Sequence, residues 1–225
     1  IMKFETGSYQ ELNFILTKPD DFSKDKKYPL ILFLHGAGTR GADVTKVMEN
    51  PFYEQISRMK DFPFVTVAPQ CSRDTWFDMF EHLIAFADYA AGLNFADSDR
   101  IYGIGASMGG YGIWQLAMSR PDLFAAIIPI CGGGMYWNSA RLKTVPIWAF
   151  HGDSDPVVDK SESVKMTEAV NHAGGNARLT IYPDCGHDAW SETYGNAEVF
   201  QWLQNQRKTS CAQETNQFSN SKYYG

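Results

Sequence analysis

The apolar run at residues 29–34 is the feature that most restricts the possible fold of this chain. It reads PLILFL and lacks the alternation of apolar and polar residues typical of a strand with one face in water. Such a run indicates a strand that is buried on both faces. Further apolar runs at 62–68, 100–104, 125–131, 145–150 and 178–182 alternate with segments of helical periodicity. The sequence therefore predicts an α/β fold with a mostly parallel central sheet and helices on both faces.

Helical periodicity predicts helices over about 44–60, 77–91, 107–119, 160–173 and 195–206, and an early strand covers about 9–18. The chain has 225 residues, which suits one domain. We expect that domain to cover residues 1–206. The last segment, 207–225, is polar and poor in aliphatic residues, and we predict that it docks on its own domain or on a neighbouring chain through Phe218, Tyr223 and Tyr224.

Charge and composition exclude several classes of function. The formal net charge is −6 and the basic residues are scattered, so we expect no nucleic-acid or membrane partner. Four cysteines lie far apart and form no zinc-binding pattern, so we expect free thiols and no bound metal. No signal peptide is evident, which favours the cytoplasm, or the outside of the cell if a signal has been removed. A homodimer is compatible with the sequence.

Ser107 is the candidate nucleophile. It lies in the pattern Gly105-Ala-Ser107-Met-Gly109, between a predicted strand and a predicted helix. The pattern alone has little specificity, but the strand–turn–helix context is what a nucleophile elbow requires. Such a turn exposes the serine hydroxyl at the carboxyl end of the sheet, next to a helix N-terminus that favours negative charge. A serine hydroxyl also needs a base and an acid, which on this scaffold follow in the order Ser, acid, His.

Two histidines follow a plausible acid in the chain. His172 lies near the end of a predicted helix and is expected on the surface, whereas His187 follows the predicted strand 178–182 directly and is the candidate base. The candidate acid is Asp155, in the segment HGDSDPVV after the strand 145–150. The following proline restricts its backbone, which favours Asp155, but Asp153 remains an alternative. A more remote pair of alternatives comprises Asp184 and Asp188.

An oxyanion hole needs two backbone N–H groups. The first candidate is that of Met108, the residue after the nucleophile. The second is that of Ala37, in the segment His35-Gly-Ala37-Gly that follows the first buried strand. The small residues there allow a substrate to approach the backbone. We expect His35 to brace this loop, because it precedes the serine in the chain.

These residues resemble the α/β-hydrolase superfamily. More closely, the chain is similar to its small carboxylesterase and predicted-peptidase branch, which includes dienelactone-hydrolase-like enzymes, acyl-protein-thioesterase-like enzymes and carbohydrate esterases. The similar segments are LHGAGTRG at 34–41, APQ at 68–70, GASMGG at 105–110, HGDSDPVV at 151–158 and Gly186-His187. The resemblance implies a single α/β-hydrolase domain, Asp155 as the acid and Ala37 as an oxyanion donor. Dienelactone hydrolases proper carry cysteine where this chain has Ser107, which argues against a lactone substrate.

The segment between Ser107 and Asp155 is nearly filled by predicted strands and helices. It therefore leaves no room for a large cap domain, and we expect an open site. Aromatic side chains in segments that follow strands can stack on sugars or on an aromatic acyl group. The candidates for substrate binding are Trp76, Tyr136, Trp137 and Trp190.

The sequence thus predicts a serine esterase that forms an acyl-enzyme and needs no cofactor. Acetyl or cinnamoyl (feruloyl) esters on plant carbohydrates are the expected substrates, on the basis of the aromatic residues and the family. A serine peptidase or a thioesterase with the same three residues is the alternative. A binding protein that retains the fold without the chemistry is a third possibility, and the complete set Ser107, Asp155 and His187 argues against it.

Overall fold

The computed structural model describes residues 3–208 as one eight-stranded sheet with helices on both faces. The strands are β1 Phe4–Tyr9, β2 Leu12–Thr17, β3 Tyr28–Leu34, β4 Val65–Pro69, β5 Ala96–Ala106, β6 Ala126–Ile130, β7 Ile147–Gly152 and β8 Ala177–Tyr182. The helices are α1 Pro51–Ile56, α2 Phe80–Ala91, α3 Met108–Ser119, α4 Ser161–His172, α5 Ala189–Gly195 and α6 Ala197–Gln204. Short 3-10 helices cover Ala37–Thr39, Val44–Glu49, Trp76–Met79 and Tyr136–Leu142.

The sheet has the strand order β1-β2-β4-β3-β5-β6-β7-β8. β2 pairs antiparallel with both β1 and β4, and all the other neighbouring strands pair in parallel. In the parallel part, every strand therefore ends at the same edge of the sheet. The loops after β3, β5, β7 and β8 meet there, and they carry the residues singled out by the sequence. The predicted α/β-hydrolase fold is confirmed.

The continuous apolar run in β3 is explained by two hydrophobic cores, one on each face of the sheet. Leu30, Leu32 and Leu34 face the core that α2, α3 and α4 cover, whereas Ile31 and Phe33 face the core that α1, α5 and α6 cover. All five side chains are at most 1% exposed. Burial of each stabilises the fold by about 1.5–3 kcal/mol, which is why no position from Leu30 to Leu34 carries a polar residue.

The early strand predicted over 9–18 is in fact a hairpin. β1 and β2 are joined by a tight turn in which Gln10 has φ of 51°, a conformation that sequence patterns rarely reveal for a non-glycine residue. The helix predicted over 44–60 is split. The 3-10 helix Val44–Glu49 stops before Asn50. The Asn50 side chain accepts a hydrogen bond from Phe52 N–H and caps α1, and Pro51 occupies the first turn of α1.

The sequence also missed α5, which precedes the predicted helix near residue 195. Asp188 caps α5 and Asn196 caps α6, so two short helices replace one. The connection from β6 to β7 contains only the 3-10 helix Tyr136–Leu142. Within residues 3–208 no insertion forms a separate cap domain, as the sequence predicts. None of the helices in this range is long and apolar enough to cross a membrane.

The first residues of the predicted C-terminal tail contact the domain. Lys208 donates its backbone N–H to the carbonyl of Asp99 at 2.9 Å and its ammonium to the carbonyl of Asp122 at 3.2 Å. The Tyr102 hydroxyl donates to the Gln206 carbonyl at 2.8 Å. Docking through Phe218, Tyr223 and Tyr224 concerns residues outside the described range, and it stays a prediction together with the boundary between residues 206 and 207.

Candidate active site

Ser107 occupies a single-residue turn between β5 and α3. Its φ of 55° and ψ of −119° lie in a region that non-glycine residues rarely adopt. Such a conformation costs on the order of 1–3 kcal/mol and persists only where the surroundings enforce it. Here Ser107 N–H donates to the Ile130 carbonyl of β6 at 2.9 Å, and the Ser107 carbonyl accepts from Tyr111 N–H at 3.0 Å. The strained turn points the serine hydroxyl away from the sheet.

Two glycines allow this turn to close. A side chain on Gly105 would overlap the Gly109 carbonyl, and a side chain on Gly109 would overlap the Leu34 carbonyl at the end of β3. The three backbone segments therefore touch where α3 leaves the sheet. This contact explains the spacing of the two glycines around the serine, because any Cβ atom would push α3 off the strands.

Ser107, His187 and Asp155 form one hydrogen-bonded chain. The Ser107 hydroxyl lies 2.9 Å from His187 Nε2, and His187 Nδ1 lies 2.8 Å from Asp155 Oδ2. A carboxylate can only accept, so Nδ1 carries the proton and Nε2 is left to accept from the serine. This tautomer is the one that a general base facing a serine requires. The structure thus brings together the three residues predicted from the sequence.

The Asp155 carboxylate is held as an anion. Its side chain has no exposed surface, and burial alone would raise its pKa. Hydrogen bonds from His187, from Val158 N–H at 3.0 Å and from Val157 N–H at 2.8 Å outweigh that effect and keep the pKa of Asp155 below its usual value. The carboxylate is therefore ionised at neutral pH and can stabilise a protonated His187.

The alternative residues lie elsewhere. Asp153 is on the same loop but accepts from the neighbouring Ser154 hydroxyl at 2.8 Å. Asp188 caps α5 by accepting from Ser191. Asp184 lies in a turn with φ of 54°, and His172 is exposed at the end of α4. The structure places none of these side chains at His187 Nδ1, where the oxygen of Asp155 lies.

The loops that carry Asp155 and His187 are joined by their backbones. Asp153 N–H donates to the Tyr182 carbonyl and Ser154 N–H donates to the Cys185 carbonyl, each at 3.0 Å. Gly152 makes this approach possible, because a Cβ atom there would overlap the carbonyls of Cys185 and Gly186. The acid and the base are therefore positioned relative to each other by the ends of two neighbouring parallel strands, β7 and β8.

The two candidate oxyanion donors each begin a helix next to Ser107. Met108 is the first residue of α3 and Ala37 the first residue of a 3-10 helix, positions at which an N–H group has no acceptor within its helix. The loop of Ala37 is close to the nucleophile, since a Cβ atom on Gly36 would lie 3.6 Å from Ser107 Cβ. Both N–H groups are thus available at the nucleophile, and their catalytic role stays a prediction.

His35 braces the loop that carries Ala37. The ring is completely buried; it lies 2.7 Å from the Gly36 carbonyl through Nδ1 and accepts from Cys71 N–H at 3.0 Å through Nε2. Those two contacts require the neutral form with the proton on Nδ1. Burial lowers the pKa of His35 to about 4. The hydrogen bond to Gly36 raises the pKa and so opposes this effect, whereas the positive charge of Arg40 lowers it further.

We expect His35 to make the fold sensitive to mild acid. Its pKa falls from 6.5 to about 4 on folding, so between these values the unfolded chain binds a proton that the folded chain does not. Stability is then full above pH 6.5 and decreases as the pH is lowered, by about 2 kcal/mol between pH 7 and pH 4.5. Urea unfolding at the two pH values measures this loss.

The matched variants are His35→Gln and His172→Gln. We expect His35→Gln to be less stable at pH 7 but to lose clearly less stability at pH 4.5 than the wild type does. His172→Gln replaces an exposed histidine and should keep the wild-type dependence on pH. An unchanged dependence in His35→Gln would contradict the assigned neutral state of His35.

A cavity of about 450 Å³ opens beside Ser107. Its wall is formed by Gly36, Ala37, Gly38, Thr39, Asn50, Pro51, Ala106, Ser107, Val157, His187, Trp190 and Tyr194. Trp190 packs edge-on against the His187 ring, with centroids 5.2 Å apart and an interplanar angle of 88°. The sequence identified Trp190 as a candidate for substrate binding but not Asn50 and Pro51. These two residues lie far in the chain from Ser107, Asp155 and His187, and they belong to no catalytic motif.

The prediction that Trp76 binds substrate is wrong. Its side chain has no exposed surface, and its indole N–H donates to the His35 carbonyl at 3.0 Å. It packs in the core under the Ala37 loop, so it supports that loop and cannot reach a ligand. Tyr136 and Trp137 are 51% and 72% exposed on the 3-10 helix after β6, but neither lines the cavity beside Ser107. Their role in binding stays a prediction.

Cys131 is a further residue at this site that the sequence did not single out. It follows β6, and its sulfur lies within 4.8 Å of ligand atoms of Asp155 and His187. Burial raises the pKa of the Cys131 thiol, so it is protonated at neutral pH. A metal ion here would have to displace that proton and break the bond between Asp155 and His187, so the geometry fits a triad better than a metal site. Cys71, Cys131 and Cys185 are free thiols.

Comparison with known proteins agrees with this geometry. A thermostable esterase of known structure superposes with a TM-score of 0.74 at 33% identity, over 92% of this chain and 63% of its own. Est1E from Butyrivibrio proteoclasticus matches with a TM-score of 0.67 at 20% identity, over 89% of this chain and 97% of its own, and has also been solved with ferulic acid bound.

Among curated proteins, dipeptidyl-peptidase 5 of Porphyromonas gingivalis is 25% identical over 81% of this chain and 33% of its own length. The chain thus spans about a third of the length of this relative. The relatives include both esterases and peptidases, so a hydrolase is the activity that they share. The model of the dienelactone hydrolase family matches residues 68–214, which contain Ser107, Asp155 and His187. Well over half of the sequence is covered by that match, and the chain belongs to the dienelactone hydrolase family.

Proposed function

We propose that this protein is a serine esterase that hydrolyses carboxylic esters through an acyl-enzyme. The observation that carries the proposal is the chain of hydrogen bonds from the Ser107 hydroxyl through His187 to Asp155, at 2.9 and 2.8 Å. This chain of hydrogen bonds ends at the Ser107 hydroxyl, which faces an open cavity. The N-termini of the 3-10 helix Ala37–Thr39 and of α3 lie beside it. This combination of nucleophile, base, acid and oxyanion donors is what acyl transfer requires.

In the first half of the reaction, the Ser107 hydroxyl attacks the ester carbonyl while His187 Nε2 takes its proton. Asp155 stabilises the positive charge that develops on His187. The N–H groups of Ala37 and Met108 bind the oxyanion of the tetrahedral intermediate. Collapse of the intermediate breaks the bond to the alcohol oxygen, which leaves with the proton from His187. A water molecule then repeats the sequence on the acyl-enzyme, with His187 again as the base.

The wall of the cavity favours an uncharged acyl group. None of its twelve residues is acidic or a lysine or arginine, and besides the triad residue His187 the larger apolar and aromatic residues are Pro51, Val157, Trp190 and Tyr194. Trp190 offers a flat aromatic surface next to His187, which suits an aromatic acyl group such as feruloyl. Binding of ferulic acid by Est1E, a protein of the same fold, is consistent with that choice. The exposed Tyr136 and Trp137 would contact the alcohol part of the substrate, such as a plant carbohydrate.

A peptidase is the second candidate, because dipeptidyl-peptidase 5 is among the relatives. A dipeptidyl substrate carries a free ammonium group, which requires a carboxylate near the nucleophile. The cavity wall provides none among the described residues. We therefore expect ester substrates to be hydrolysed faster than a dipeptidyl substrate with a free ammonium group.

The experiment compares kcat/KM for methyl ferulate, methyl acetate and feruloyl amide, with an unblocked dipeptidyl anilide as the peptidase substrate. We expect methyl ferulate to be the best of the four and the two amides to be at least about 10²-fold poorer. In Trp190→Ala, KM for methyl ferulate should rise several-fold more than KM for methyl acetate. Faster cleavage of the dipeptidyl anilide than of either ester would replace this proposal by the peptidase.

A further inference from the structure

A second buried histidine contacts the triad carboxylate. His151, the penultimate residue of β7, has no exposed surface, and its Nε2 lies 3.3 Å from Asp155 Oδ2 and 2.9 Å from the Val158 carbonyl. Asp155 Oδ2 is the same oxygen that accepts from His187 Nδ1–H. One carboxylate oxygen thus lies between two imidazole rings, and the reaction mechanism uses only one of them.

The proton of His151 can be assigned from these contacts. A carbonyl and a carboxylate are both acceptors, so Nε2 carries a proton in either charge state of the ring. On the other side, Nδ1 lies 2.7 Å from the Ser163 hydroxyl, which in turn lies 3.1 Å from the Gly132 carbonyl. The Nε2–H group therefore donates to the Val158 carbonyl whichever way the serine proton points, and the carboxylate oxygen of Asp155 lies beside that donor at 3.3 Å.

His151 also connects three elements around the acid. It joins the loop after β7, through Val158, to α4, through Ser163, and Ser163 joins α4 to the loop after β6, through Gly132. His151, Ser163 and Gly132 are buried, and Val158 is partly exposed. Hydrogen bonds in a dry interior are strong, so the contacts with Val158 and Ser163 fix the His151 ring beside Asp155.

We propose that His151 is a positioning residue of the triad: its Nε2–H group fixes the carbonyl of Val158, whose own N–H binds Asp155, and its positive end lies 3.3 Å from the Asp155 oxygen that faces His187. A role of His151 in ester hydrolysis rests on the proposed esterase function. The contact between His151 and Asp155 is independent of that function. Loss of this N–H group removes a positive dipole that lies 3.3 Å from Asp155 Oδ2 and leaves that oxygen with His187 as its only imidazole neighbour. The carboxylate then stabilises protonated His187 more strongly, and the pH at which His187 takes up its proton rises.

Other ionisable groups around Asp155 do not obscure this effect. Burial, together with the charge of Glu162 on α4, raises the pKa of Tyr111 on α3. Burial likewise raises the pKa of Cys131 at the end of β6. Both groups are therefore uncharged near neutral pH. Glu162 itself lies against Gly133, is 33% exposed and is not substituted in any variant considered below.

Three substitutions test whether His151 orients the Asp155 carboxylate or only braces the loop after β7. His151→Gln keeps an N–H donor near the place of Nε2, at the Val158 carbonyl and beside Asp155. His151→Asn keeps one near the place of Nδ1, towards Ser163, and loses the donor beside Asp155. Ser163→Ala removes the connection to α4 and leaves the donor beside Asp155 in place. The readouts are kcat and KM for ester hydrolysis as a function of pH, and the protonation midpoint of His187 measured by ¹H–¹⁵N NMR on histidine-labelled protein.

We expect His151→Asn to raise the midpoint of His187 and the acidic limb of kcat/KM by about half a pH unit or more. It should lower kcat about tenfold with KM nearly unchanged. His151→Gln and Ser163→Ala should keep the midpoint within about 0.2 units of the wild type. An equal loss of activity in all three variants with no shift of the midpoint would show that His151 only braces the loop, and would overturn the proposal.

The NMR readout keeps this proposal distinct from the esterase function. If the wild type hydrolyses no ester but the midpoint of His187 still moves in His151→Asn and not in His151→Gln, the esterase proposal fails and the positioning role stands. If ester hydrolysis is rapid and the midpoint is the same in all variants, the positioning role fails and the esterase proposal stands.

Discussion

Replacement of Ser107 by alanine is expected to lower kcat/KM for ester hydrolysis by at least about 10³-fold. The Ser107 hydroxyl is the group that His187 Nε2 contacts at 2.9 Å, and without it no acyl-enzyme can form. The fold should persist, because the strained turn is held by backbone hydrogen bonds and by the contacts of Gly105 and Gly109, which alanine at 107 leaves unchanged. Steady-state kinetics with methyl ferulate and a thermal unfolding curve measure both effects.

The control is Ser119→Ala, at the other end of α3. The Ser119 hydroxyl accepts only from the Gln115 side chain, at 3.3 Å, on the helix surface. Its removal should leave kcat/KM within about twofold of the wild type. Retention of more than a tenth of the wild-type activity in Ser107→Ala, with Ser119→Ala behaving as the wild type, would remove Ser107 from the mechanism.

The second large effect is expected for Asp155→Asn, which should lower kcat by about 10³–10⁴-fold. An amide at this position can turn its NH₂ group towards His187 Nδ1, which favours the wrong tautomer. His187 Nε2 would then carry a proton and could no longer accept one from Ser107. The substitution also removes the charge that stabilises protonated His187. Kinetics at saturating ester measure this loss in kcat directly.

Asp153→Asn is the matched control, since it makes the same chemical change two residues away. The Asp153 carboxylate accepts from the Ser154 hydroxyl on the surface, whereas His187 Nδ1 binds Asp155. We expect its kcat to stay within about threefold of the wild type. A larger loss in Asp153→Asn than in Asp155→Asn would transfer the role of the acid to Asp153.

The arrangement of Ser107, Asp155 and His187 could be predicted from the sequence because it depends on the ends of strands. Ser107, Asp155 and His187 each follow an apolar run, and the ends of parallel strands meet at one edge of the sheet. The order of these residues along the chain then assigned each its role. The choice between Asp153 and Asp155 was harder, because the direction of a side chain in a turn depends on contacts such as those of Val157 and Val158 with Asp155.

The cavity wall was predicted less well. Trp76 and Trp190 both follow strands, and the sequence treats them alike, yet Trp76 is buried under the Ala37 loop while Trp190 lines the cavity. The difference depends on whether a loop folds over the ring, which local periodicity does not encode. His151 was missed for a similar reason, since its contact with Asp155 becomes evident only when the loop after β7 has closed.

The most direct test of the central claim is rapid-quench analysis of the first turnover with p-nitrophenyl acetate, combined with intact-protein and peptide mass spectrometry. The account predicts a burst of about one equivalent of p-nitrophenolate and an acetyl group on the peptide that contains Ser107, both absent in Ser107→Ala. An acetyl group on a different residue, or equal release of p-nitrophenolate by the wild type and Ser107→Ala, would contradict the assignment of Ser107 as the nucleophile.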